Sequence, residues 1–80
     1  MPHYHLNIHN GHGPVPDEEG AYYRDLDAAR QEAIRGVRSM LSAEALEGEI
    51  NLDGHLDITD DRGTLIEKVL FTEAVKIVGA

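Results

Sequence analysis

The chain has 80 residues, no cysteine, and a formal charge of −8 from 15 acidic against 7 basic side chains. A chain this short forms one domain, residues 1–80, and buries only roughly 60 % of its unfolded surface, so without disulfides or thiolate-bound metal its core rests on scattered Leu, Ile and Val with Phe71. The acidic balance argues against direct nucleic-acid binding, which needs clustered Lys and Arg, and no stretch is apolar and long enough to span a bilayer.

The N-terminus lacks a charged lead before an apolar run, so no secretory signal is expected and the expected location is cytoplasmic. Residues 3–9 read as the first strand. Tyr4, Leu6 and Ile8 alternate with His3, His5, Asn7 and His9, and successive strand side chains point to opposite faces. The apolar set is expected to lie under a helix. The other set gathers three of the five histidines onto one surface. Asn10-Gly11-His12-Gly13-Pro14 and Pro16-Asp17-Glu18-Glu19-Gly20 carry turn chemistry. Ala21-Tyr22-Tyr23 reads as a short strand returning beside the first.

A helix follows, with the Asp25 carboxylate placed to cap its first N–H groups and to face the positive end of its dipole. At about 100° per residue, Leu26, Ala29, Ala33, Val37, Met40 and Leu41 form one stripe with Ile34 on its margin. Gln31, Glu32, Arg35, Arg38, Ser39 and Ser42 form the solvated face. Gly36 lies near the stripe's edge, where a missing side chain lets another element approach. Gly48 is expected just past the helix end, and Glu44 and Glu47 oppose the dipole there, so the last turn is expected to fray.

Asp53-Gly54 looks like a hairpin turn, but a two-residue turn would place Leu52 with His55 and Ile50 with Asp57, mixing buried and exposed residues. A strand from His55 to Thr59, with Leu56 and Ile58 inward, is the better reading. Asp60-Asp61-Arg62-Gly63 is the hairpin candidate, with the glycine at a bulge position. Thr64 to Phe71 form the last strand; the mixed parity of Leu65, Val69 and Phe71 against Ile66 and Leu70 calls for a bulge or for burial of both faces. Thr72 to Val78 read as a short helix or a trailing strand. The fold class is α+β: a two-layer arrangement, with an antiparallel sheet of three to four strands and one long helix packed on one face.

The ordered combination of Met1-Pro2, Tyr4 and Leu6, Asp17-Glu18-Glu19-Gly20, Asp25-Leu26-Asp27-Ala28-Ala29-Arg30-Gln31-Glu32-Ala33, Leu52-Asp53-Gly54, Ile58-Thr59-Asp60, Val69 with Phe71, and Glu73-Ala74-Val75 resembles the DUF6894-type family of small bacterial domains. Leu70 stands where that family's Val-Pro-Phe has proline. The resemblance implies a fold class and a bacterial setting, and no activity. At the level of the fold alone the chain is also similar to antitoxin domains of the HicB type, which implies a protein partner.

The residues that suggest chemistry are few. His3 and His5 project in parallel from one strand, a spacing that metal sites use, and His55 and Asp57 complete a shell if the later strand lies beside the first. That set would suit Zn or Ni. The competing reading, a solvated face or a dimer contact, is the favoured one. An amino-terminal copper or nickel site is discounted, since Pro2 lacks the N–H it must lose. Catalysis by a freed Pro2 lacks an arginine at a diagnostic spacing to orient substrate. A calcium loop starting at Asp57 fails at Arg62, where glycine is needed, and at Lys68, where a bidentate Glu is needed. The arginine-bearing helix face reads first as an ordinary solvated surface with Glu32 and Arg35 one turn apart. The expectation is a non-enzymatic protein-interaction or self-associating module without a cofactor. The alternatives are divalent-metal binding through His3, His5, His55 and Asp57, and a HicB-like antitoxin-type partner domain.

Overall fold

The computed structural model describes residues 1–79, and its sheet is built around the first strand, β1 (His3–Asn10). One side of β1 pairs antiparallel with β2 (Gly13–Val15) and β3 (Ala21–Tyr22), the other with β4 (His55–Thr59), which pairs in turn with β5 (Leu65–Leu70). The order is β2-β1-β4-β5, with β3 beside the start of β1, five strands among the described residues. The sequence pattern gives three to four strands and omits β2, because Gly13-Pro14 reads as a breaker. Pro14 is tolerated because β2 is a short edge strand, where a missing N–H costs no ladder bond.

Helix α1 (Leu26–Leu46) crosses one face and buries Ala29, Ala33, Val37 and Leu41, the expected stripe. The Asp25 carboxylate accepts from Ala28 N at 2.8 Å. The C-terminal turn is closed and does not fray: Gly48 N donates to the Ala45 carbonyl and Glu49 N to that of Glu44, the paired bonds of a Schellman cap. Satisfying those carbonyls offsets the unfavourable placement of Glu44 and Glu47 near the negative end of the dipole. Gly36 has open space around it, so no element approaches there.

Beneath the helix, Leu56 and Ile58 of β4 and Val69 of β5 are buried with Phe71 and Ala74 of the four-residue helix α2 (Phe71–Ala74). Tyr4, Leu6 and Ile8 pack partly buried against the same core. Asp60–Gly63 makes the β4–β5 turn, with Gly63 N bonded to the Asp60 carbonyl and Asp60 N to that of Thr64. A bulge lies where Ile58 pairs with Glu67 and Thr59 with Leu65, passing over Ile66. This resolves the mixed parity of the last strand. Val69 goes inward, while Leu65, Ile66 and Leu70 remain exposed. Glu67 also points inward, at the margin, where Arg30 of α1 lies 3.7 Å from it and 3.5 Å from Glu73. Arg38 donates to the Ala74 carbonyl at 2.6 Å. Two of the three helix arginines therefore fasten α1 to β5 and α2. Only Arg35, 3.9 Å from Glu32, matches the expected solvated pair.

Candidate functional site

Antiparallel register decides which polar side chains meet on the face that α1 leaves open. β1 and β4 pair His5 with Thr59, Asn7 with Asp57 and His9 with His55, so every one of these side chains falls on that face. Two clusters result. His3 and His5 meet Asp61 at one end, and His9 and His55 meet Asp57 at the other. His3, His5, His55 and Asp57 are thus on one face as expected, but they divide into two pairs and do not form one shell. His9 and Asp61 complete the clusters. Alternation along β1 puts His9 on this face, but its role is legible only once the register is known. Asp61 reads from the sequence as part of a turn and nothing more.

Asn7 stands between the clusters with its amide fully used. Its Nδ2 donates to Thr59 Oγ1 at 3.1 Å, and its Oδ1 accepts from Asp17 N at 2.8 Å. The Asp17 carboxylate accepts from Leu6 N and from Gly20 N, both at 3.1 Å. One side chain thereby takes the place of a strand neighbour along β1 between β3 and β2, and ties the Pro16–Gly20 loop down. A Cβ at Gly20 would lie 2.7 Å from the Tyr4 carbonyl and 2.8 Å from the His3 ring, at a φ of +65° that L side chains avoid.

The first cluster is closed by hydrogen bonds. Asp61 Oδ1 accepts from His3 Nδ1 at 2.5 Å and from His5 Nε2 at 3.0 Å, while His5 Nδ1 donates to the Asp17 carbonyl at 2.7 Å. A neutral imidazole has one N–H, so a ring facing an oxygen from each nitrogen favours the protonated form. The bond to the Asp17 carbonyl, and after it the bond to Asp61, accordingly raises the His5 pKa above its usual 6.5. Hydrogen bonds from His3 and then His5 lower that of Asp61.

The second cluster is open. The His9 and His55 rings stack with centroids 4.8 Å apart and planes 16° from parallel. Asp57 Oδ2 lies 3.4 Å from His9 Nε2 and 3.6 Å from His55 Nε2, separations too long for good hydrogen bonds. The other carboxylate oxygen, Asp57 Oδ1, is buried without a hydrogen-bond partner. The side chains of His9, His55 and Asp57 are 40, 31 and 20 % exposed, so the cluster is reached from solvent.

Among the described residues, no helix is long and apolar enough to cross a membrane. The family model described as a domain of unknown function, DUF6894, matches residues 3–72. No curated protein and no solved structure matches the chain.

Proposed function

This chain belongs to the DUF6894 family, and we propose that it is a non-enzymatic module whose β5 edge contacts another protein, in the first place a second copy of itself. The observation that carries this reading is the bare terminal strand. β5 ends the sheet, and its Leu65, Ile66 and Leu70 are 52, 40 and 44 % exposed. An unpaired edge offers its N–H and C=O groups to another strand, and covering its apolar side chains removes them from water. The small core supports the same reading. Among the described residues, three of its nine buried side chains are alanines, so folding alone withdraws little apolar surface.

Light scattering is expected to find a dimer at micromolar concentration, and Leu70→Lys is expected to make it monomeric with an unchanged circular dichroism spectrum. A wild-type protein that stays monomeric into the millimolar range, and recovers no partner from its source in a pull-down, would sink the proposal. A monomer that captures one defined protein would shift the contact to a heterologous partner, the arrangement a HicB-like antitoxin-type domain would use.

A further inference from the structure

We infer that His9, His55 and Asp57 form a binding site for a divalent transition-metal ion of the zinc class, distinct from the His3–His5–Asp61 cluster. Spacing separates the two clusters. Ligand atoms about 2.0–2.2 Å from a tetrahedral ion lie about 3.3–3.6 Å from one another. Asp57 Oδ2 sits 3.4 Å from His9 Nε2 and 3.6 Å from His55 Nε2, which is that spacing and is wider than a hydrogen bond. In the other cluster the corresponding separations are 2.5 and 3.0 Å, already closed by shared protons, with no room for an ion between the atoms.

Donor type agrees with spacing. Two imidazole nitrogens and one carboxylate oxygen form a borderline-soft set that suits Zn²⁺ and its neighbours in the first transition row better than Ca²⁺ or Mg²⁺, which take oxygen ligands. The three ligand atoms lie within 4.8 Å of one another, with His9 facing His55 across the β1–β4 pair and Asp57 two residues along β4, so the backbone ladder holds them before any ion arrives. Both Nε2 atoms lie within 3.6 Å of the same carboxylate oxygen, and a tilt of the two stacked rings toward each other brings their in-plane lone pairs onto one ion. The buried Asp57 Oδ1, which has no hydrogen-bond partner, belongs to the same carboxylate, and an ion bound to that group offsets the cost of its partial desolvation. Three protein ligands leave a fourth position on the solvent side for water.

The test is a titration of metal-free protein with zinc chloride at neutral pH, followed by calorimetry and by the imidazole nitrogen resonances in NMR. The expected result is one zinc per chain, with the Nε2 resonances of His9 and His55 moving on binding. His55→Gln and Asp57→Asn should each weaken binding by at least the roughly 10–100-fold that loss of an outer-shell partner costs. His3→Ala/His5→Ala protein should bind as wild type does. No zinc heat in folded wild type, or binding that survives His55→Gln and disappears in His3→Ala/His5→Ala, overturns the assignment. If a variant fails to fold, the wild-type resonances decide: movement of His3 and His5 in place of His9 and His55 also overturns it.

Discussion

A methyl group added at Gly36 and one added at Gly54 meet opposite surroundings. Gly36 lies mid-helix, and a Cβ there would have nothing within 4 Å, whereas a Cβ at Gly54 would lie 2.7 Å from the His9 carbonyl and collide with the Phe71 ring. Gly36→Ala is therefore expected to stabilise the fold by about 0.5–1 kcal/mol, the usual helix-interior difference. Gly54→Ala is expected to destabilise it by about 1–3 kcal/mol through overpacking. Urea titrations of the two variants check both signs, and a neutral Gly54→Ala would mean that the chain entering β4 yields easily. The expectation of a close approach at Gly36 rests on its angle on the helical wheel, which fixes direction and carries no information about distance. The tight glycine is Gly54 because Phe71, remote in sequence, folds back over it and donates its N–H to the Gly54 carbonyl at 3.0 Å. The role of Asp17 is hidden from the sequence for a similar reason. Its turn chemistry is readable, but which backbone N–H it meets depends on where β1 runs.

At the scale of elements, periodic signals are legible and pairings are not. The α1 stripe, the Asp25 cap, the span His55–Thr59 and the Asp60–Gly63 turn all follow from residues close together in sequence. β2 escapes notice because glycine and proline count against a strand except at an edge. The parity of β5 is ambiguous because a bulge and the inward Glu67, met by Arg30, both break its alternation. The division of the histidine face needs the β1–β4 register, which no local pattern supplies. That face also makes the β4–β5 turn sensitive to pH, since Asp61 at its tip is held to β1 by His3 and His5. The raised pKa of His5 contributes stability that is complete below about 6.5 and is lost as pH rises through the higher folded value. The lowered pKa of Asp61 contributes stability that is complete above about 3.8 and is lost as pH falls through the lower folded value. Both contributions are in force between those limits. The difference in urea midpoint between wild type and Asp61→Asn should be widest in that window and narrow on either side. A difference that does not vary with pH would refute the coupling.

For the whole molecule, a charge of −8 opposes any contact between copies. Screening length falls from about 30 Å at 0.01 M salt to about 8 Å at physiological ionic strength. Added salt should therefore raise the dimer fraction seen by light scattering, and a dimer that dissociates with salt would instead point to ion pairs as its main contact. The same screening weakens the field that draws a divalent cation to a chain of charge −8, so zinc binding at His9, His55 and Asp57 should fall with added salt while the dimer fraction rises.

The Asp17 side chain that bonds Leu6 N has a consequence for how many copies can join. On the far side of β1, a two-residue strand, a carboxylate and a three-residue strand divide the edge into pieces too short to template another chain. Among the described strands, β5 alone remains able to extend the sheet. When two copies join through β5 about a two-fold axis, each uses up its single growing end, and the assembly closes as a pair instead of propagating as a fibre.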